Sequence, residues 1–211
     1  MLYYYPSCTF RKTLPDTANV VINHLKSENI QIMGCCRADR DHHQSDDTAL
    51  VICQSCRKTL ENKMRVMSLW EYLIKTADFP WPNYKGLKVN VQDCWRERNQ
   101  PEVQTAVRNI LKKMNVETVE IPLNFQKTDF CGTLHYEIKD RKLLDKAALY
   151  PDKKLYELPI ELQKEAMQER IREYTCPYVV CDCTCCLNGI QLGGGVRGIH
   201  LLELIFQTAK L

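Results

Sequence analysis

The stretch YVVCDCTCCLNGIQ, residues 178–191, reads as a buried β-strand running into a Cys-x-x-Cys turn, and ALVICQSCRKTLEN at residues 49–62 repeats that pattern. A short apolar run closed by turn signals is the signature of a strand buried on both faces. Three further blocks recur around this pair, in the same order. LYYYPSCTFRKT (2–13) matches KVNVQDCWRERN (88–99): an apolar or alternating run, then a cysteine, then basic residues. TANVVINHLKSENIQIM (17–33) matches TAVRNILKKMNVETVEI (105–121), each an amphipathic helical pattern leading into a short strand. RVMSLWEYLI (65–74) matches RGIHLLELIF (197–206), and both read as a short closing helix. Four blocks in one order mark a duplicated unit.

Each unit thus reads strand, helix, strand, cysteine loop, strand, Cys-x-x-Cys, helix. Alternating strands and helices predict an α/β fold: two tandem pseudo-symmetric units, each a small, mainly parallel sheet flanked by helices. Ligands of such sheets sit outside the carboxyl ends of the strands, where every cysteine block falls, so metal sites are expected there. The 211 residues, 45% of them hydrophobic, suffice for a real core. The net charge of +3 divides as +2 over residues 1–86 and +1 over the rest, with no basic stripe, which argues against nucleic acid as a partner. MLYYYPSC lacks the pattern of a secretory leader, and the longest uncharged run, Cys183 to Val196, is too short and glycine-rich to span a bilayer. A soluble cytoplasmic protein without a transmembrane segment is the expectation.

In that setting the 12 cysteines stay reduced, which favours metal binding or redox chemistry over a disulfide framework. The first unit offers Cys8, the adjacent pair Cys35 and Cys36, and the pair Cys53 and Cys56. Soft thiolates at these positions select zinc, copper(I) or iron–sulfur clusters. A structural zinc needs only four. The second unit offers Cys94, Cys131, Cys183 and Cys186, with Phe130 where the partner of an adjacent pair would lie.

A cysteine after the opening strand, then CC or CG, then a strand and Cys-x-x-Cys, all duplicated, resembles the CCG (cysteine-rich) domains of heterodisulfide reductase. The iron–sulfur subunits of glycolate oxidase and anaerobic glycerol-3-phosphate dehydrogenase share these domains. The resemblance divides the chain into a first CCG-like unit at 1–86 and a second at 87–211, the latter with a helical insertion at about 133–175. It implies that Cys8, Cys35, Cys36, Cys53 and Cys56 hold a noncubane [4Fe-4S] cluster. The second unit has FCG instead of CCG, so its matched ligands are the four cysteines Cys94, Cys131, Cys183 and Cys186. Four thiolates suit zinc or a cubane [4Fe-4S] cluster. One of Cys176, Cys181 or Cys185 stands available to replace the missing thiol.

The function implied is electron transfer, or reduction of a disulfide or thiol substrate, at the first cluster. Cys35 and Cys36, with His42 and His43 as proton donors, are the candidate catalytic residues. The ferredoxin spacing Cys-x-x-Cys-x-x-Cys-x-x-x-Cys is absent, so an electron-donating iron–sulfur or flavin protein is the expected partner. Two other readings stand beside this one: a zinc-stabilised module that binds a partner, and a metal-free thiol redox protein. RADRDHHQSDD (37–47) also reads as a solvated loop, and His135 carries the same two readings as His42 and His43. Cys176 reads as a structural or exposed thiol. GGGVRG (193–198) follows Cys-x-x-Cys instead of a first strand, so it reads as a tight turn into the last helix, not a dinucleotide site. The insertion predicts a helix opened by Pro159 with Leu162, Ala166 and Ile171 on its apolar face, covering a sheet face or serving as a lid or docking surface.

Overall fold

Leu2–Tyr5 forms the first strand, β1, and three of its four residues are buried, as a strand inside a parallel sheet requires. The computed structural model describes residues 1–40, 43–44 and 46–211. After β1 come helices α1 (Cys8–Thr13) and α2 (Pro15–Ser27), strands β2 (Gln31–Ile32) and β3 (Thr48–Val51), helix α3 (Gln54–Leu60), strand β4 (Arg65–Ser68) and helix α4 (Leu69–Lys75). The second unit repeats the plan with β5 (Lys88–Gln92), α5 (Pro101–Lys113), β6 (Glu117–Val119), α6 (Arg141–Ala147), α7 (Ile160–Ile171), β7 (Tyr178–Cys181), α8 (Thr184–Gly193), β8 (Arg197–His200) and α9 (Leu201–Ile205). The strand orders are β2-β1-β3-β4 and β6-β5-β7-β8, every pairing parallel. The protein is therefore α/β, with two pseudo-symmetric four-stranded parallel sheets flanked by helices.

Alternation along the strands splits each sheet between two cores. Tyr4 and Leu50 face a core shared by both units, together with Val21 and Leu25 of α2, Trp70 of α4, Ile110 of α5 and Leu204 of α9. Tyr3, Tyr5, Ala49 and Val51 face the other way, onto Cys56 and Leu60 of α3. In the second sheet Val91 and Val180 enter the shared core, while Val179 and Cys181 pack on a separate core with Ala166 and Met167 of α7 and Cys186 of α8. The units are thus joined through apolar burial. Polar contacts add to it: the Tyr84 hydroxyl donates to the Leu204 carbonyl at 2.8 Å, and the Thr17 and Thr208 hydroxyls meet at 2.8 Å.

Two expectations are corrected. The segments at 65–74 and 197–206 are not simple closing helices: each begins as a four-residue edge strand, β4 or β8, before the chain turns into α4 or α9. A four-residue strand running directly into a helix shows too few alternations to be separated from it by periodicity. Consequently GGGVRG turns the chain into β8, with Gly194 and Gly195 at φ 68° and 81°, and not into the last helix. Cys53 and Cys183 sit at helix N-caps, so each Cys-x-x-Cys is the first turn of a helix.

Helix α7 buries Leu162, Ala166, Met167 and Arg170 and packs on α8. The fully buried Arg170 guanidinium donates to Gln92 Oε1 at 2.8 and 3.2 Å, Asp129 at 3.1 Å and Glu173 at 2.6 Å, which satisfies a charge that would otherwise be costly there. Among the described residues no helix is long and apolar enough to cross a membrane.

His200 caps α9 at the junction of the units: its Nδ1 accepts from the Leu202 N–H at 3.3 Å, and its ring lies 4.8 Å from Phe10 and 6.0 Å from Trp70. Burial lowers its pKa from 6.5 to about 4. A folded-state value below the unfolded one means that the unfolded chain binds the extra proton. Stability is therefore expected to fall as pH drops from about 6.5 through 4, by about 3 kcal/mol at most. Urea unfolding at pH 7 and pH 4.5 checks this against His200→Asn, which keeps a capping acceptor but does not titrate. An equal acid loss in both proteins would assign the effect elsewhere.

Candidate metal centre

Both sheets reverse their strand order beside the first strand of the unit, β1 or β5, whose neighbours are reached by connections leaving in opposite directions. The crevice at the carboxyl ends of these strands is where α/β sheets hold ligands. Cys94 follows β5, and Cys183 and Cys186 occupy the N-cap and third position of α8 after β7. Cys131 arrives on the loop after the short 3-10 turn Phe125–Lys127. The four sulfurs all lie within 4.8 Å of one another, and those of Cys94 and Cys131 are 3.5 Å apart. Cys94, Cys131 and Cys186 are buried, while Cys183 is partly open.

The loop holding Cys131 is fixed by backbone contacts. The Cys131 N–H donates to the His135 carbonyl at 2.8 Å, the Trp95 N–H to the Phe130 carbonyl at 2.9 Å, and the Cys186 thiol to that same carbonyl at 3.6 Å. Gly132 adopts φ 57°, and a Cβ built there would overlap the Cys185 carbonyl oxygen, so only glycine lets the loop meet α8. Phe130 is fully buried, edge-on to Tyr136 at 5.9 Å. The side chain standing in place of a thiol is therefore a core residue.

Hydrogen bonds from Cys131 above all, and from Cys185, Cys186 and Cys94, hold the Cys183 thiol well below its ordinary pKa, while burial pushes Cys186 well up. Cys183 is thus the thiol of the set that gives up its proton most readily. A metal ion would displace the remaining thiol protons. The donors fit a soft ion. Tetrahedral zinc with bonds of about 2.3 Å spaces its thiolates about 3.8 Å apart, so the four close on one ion with small side-chain movements. An iron–sulfur cage needs the same thiolates to open outward around it.

The five cysteines of the first unit stand at equivalent strand ends, in two groups. Cys8, exposed at the start of α1, contacts the exposed Cys35. Cys56 contacts both Cys53 and Cys36. Cys53 is drawn down to about 6 by the Cys56 thiol first, with the Cys56 and Ser55 N–H groups at the start of α3 adding to it. Backbone N–H groups of Arg37 and Ala38, with the Cys8 thiol, lower Cys35. His43 is held by Asp39 at 2.9 Å and lies 3.5 Å from the Tyr5 hydroxyl, its side chain buried. His42 lies outside the described residues. The His135 ring stacks on Trp95 at 3.8 Å.

Cys53 and Cys183, each at a helix start, lie near enough across the junction for charge on Cys183 to act on Cys53. Gln54, next to Cys53, donates to Glu97 at 2.8 Å, and Arg96 donates to Ser55 at 2.6 Å. Glu97 and Asp182 are both buried and hydrogen-bonded to each other. Burial, foremost, raises Glu97 well above the carboxylate range and Asp182 to about 7. Beside them opens a cleft of about 520 Å³ whose walls include Arg57 and Lys58 of α3 and Trp95, Arg96 and Arg98 of the second unit.

Sequence reasoning did not find this carboxyl pair. Its signal was the aspartate directly before a ligand cysteine in YVVCDC and the glutamate three residues after Cys94. Of the unmatched cysteines, Cys181 is fully buried at the end of β7, and Cys176 is buried with its N–H donating to Asn90 at 2.8 Å. Cys185 contacts Cys131 and Cys183.

No protein-family model matches this sequence. No curated protein matches it either. Among solved structures, glutamate racemase isoform RacE1 from Bacillus anthracis is similar at 12% identity and a TM-score of 0.35, over 98% of this chain and 78% of that one. The functional reading rests on the cysteine geometry.

Proposed function

We propose that the chain is an iron–sulfur protein of the heterodisulfide reductase type, which transfers electrons to, or reduces, a disulfide or thiol substrate. Cys8, Cys35, Cys36, Cys53 and Cys56 would hold a noncubane [4Fe-4S] cluster, and Cys94, Cys131, Cys183 and Cys186 a zinc ion or a second [4Fe-4S] cluster. The observation that carries this reading is that cysteines stand at the same strand ends of two pseudo-symmetric sheets, with the four of the second unit gathered within 4.8 Å of one another. A bound cluster of this kind supplies an iron site that accepts a sulfur ligand and stores electrons. The residues around it do the rest. Arg57, Lys58, Arg96 and Arg98 favour an entering anion, and the lowered pKa values of Cys35 and of Cys53, the latter about 6, favour their thiolates as ligands. Cleavage of a disulfide takes two electrons and two protons and yields two thiols. An electron-donating iron–sulfur or flavin protein would supply the electrons singly, and solvent or a nearby histidine the protons.

Anaerobic purification tests this with iron, sulfide and zinc counts and electron paramagnetic resonance before and after adding a thiol. About four iron and four sulfide with a thiol-responsive signal are expected. Cys36→Ser is expected to remove or alter that signal while leaving the metal of the second unit. Unchanged iron and spectrum would sink the five-ligand assignment.

A second reading has its own observation. The four sulfurs within 4.8 Å close more readily on one tetrahedral ion than on a cage. A zinc-stabilised module that binds a partner would contain zinc alone, with no sulfide in protein kept anaerobic throughout.

A further inference from the structure

We propose that Gln54, directly after Cys53, is a positioning residue that couples the two cysteine sets, so that metal bound at the second centre orders the first Cys-x-x-Cys turn. This rests on the second centre holding metal, but not on the metal of the first set or on disulfide chemistry.

The two inner residues of Cys53-x-x-Cys56 both bond across the junction of the units. Gln54 uses both ends of its amide: its Nε2 donates to Glu97 Oε1 at 2.8 Å, and its Oε1 accepts from Gln100 Nε2 at 2.6 Å. Ser55 Oγ accepts from Arg96 Nη1 at 2.6 Å. All three partners lie in the segment that follows Cys94. Backbone bonds close that segment on itself. The Glu97 N–H donates to the Cys94 carbonyl and the Gln100 N–H to the Glu97 carbonyl, each at 2.8 Å. The 3-10 turn Trp95–Glu97 is thus tied to a ligand cysteine at one end and to Gln54 at the other.

Gln54 carries more of this link than Ser55. Glu97 is buried, so a shift of its turn that broke the bond from Gln54 would leave a buried carboxyl oxygen short of a donor. The bond between Arg96 and Ser55 is exposed, and both groups can turn to water instead. The other half of the duplication makes a matching contact: α1, which begins at Cys8, packs on α8, the helix capped by Cys183. Each unit's first cysteine therefore leads into a segment seated on the other unit's Cys-x-x-Cys helix. Metal that fixes Cys94 fixes the turn behind it, and with that turn the start of α3. Such coupling is reciprocal, so metal at the first set tightens the second by the same factor.

The test uses the full chain, stripped of metal without oxygen and then given one zinc ion per chain, with zinc alone as the probe. Iodoacetamide rates are mapped to each cysteine by peptide mass. Cys94, Cys131, Cys183 and Cys186 are expected to be protected, and Cys53 to react about fivefold more slowly than in metal-free protein. In Gln54→Ala the four are expected to stay protected while the slowing of Cys53 is lost. In Cys94→Ser zinc is expected to leave the Cys53 rate unchanged. The inference fails if Cys53 is slowed equally in Gln54→Ala, or in Cys94→Ser, where zinc would be acting on the first set directly. An unchanged Cys53 rate beside four protected cysteines also overturns it and leaves the metal centre standing. No protection of any of the four would overturn the metal centre, and the coupling with it. If Gln54→Ala does not fold, Gln100→Ala removes the other bond of the same amide and is expected to weaken the slowing; full slowing in that variant counts against Gln54.

Discussion

Replacing Cys131 with serine is expected to strip the second unit of its metal and to lower stability by about 4 kcal/mol or more. Cys131 is fully buried, 3.5 Å from Cys94, and touches Cys183, Cys185 and Cys186. Serine keeps the size but removes the soft thiolate that a tetrahedral or cluster site requires. Metal that binds only the folded state stabilises it by about 4 kcal/mol when present at roughly a thousand times its dissociation constant, and that contribution disappears with the ligand. Metal analysis and thermal unfolding, with and without chelator, read the effect. Cys181→Ser supplies the contrast: it alters an equally buried thiol at the end of β7 that lies outside the four-sulfur group, so the metal should stay. Full metal content in Cys131→Ser would remove Cys131 from the centre.

Gly132→Ala is expected to cost about 3 to 5 kcal/mol, or roughly 10 °C in melting temperature for a chain of this size. Two costs combine. The new methyl would overlap the Cys185 carbonyl oxygen and stand 3.1 Å from its carbon, and both are backbone atoms of a packed helix that cannot rotate away. The φ of 57° adds about 1 kcal/mol of its own for an L side chain. Relief requires the Cys131 loop and α8 to separate, so metal affinity should fall with stability. Gly194→Ala separates the two causes: φ is 68° there, but nothing lies within 4 Å of the new methyl, and only the smaller backbone cost is expected. Equal losses at the two positions would show that the contact with α8 carries no weight.

Gly132 also shows where sequence reading reaches its limit. FCG aligns with the first unit's double cysteine, so the position of Cys131 was legible, but the reason for a glycine after it was not. That reason is a carbonyl of α8, 53 residues away in the chain, and only the packing of two segments reveals it. Arg170 is similar. Read in isolation it is one more charge on a mixed helix, and in the fold it is buried against Gln92 and Asp129. Glu97 and Asp182 lie in different blocks of the second repeat, and their contact depends on β5 and β7 being neighbours.

The sequence by itself determined that the chain is an α/β duplication with cysteines at the strand ends, because strand and helix periodicity and the order of four repeated blocks are local properties that survive without coordinates. It also singled out Cys94, Cys131, Cys183 and Cys186, because they fall at the ends of neighbouring parallel strands, and the fold gathers these four. Only the tertiary structure decided that β4 and β8 add a fourth strand to each sheet, because an edge strand of four residues owes its form to pairing with β3 or β7 and not to its own pattern. The tertiary structure alone also divided the first set into Cys8 with Cys35 and Cys36 with Cys56, and brought Cys185 to the second. Those groupings depend on side-chain direction at helix starts and on backbone contacts between distant segments, which residue order does not encode.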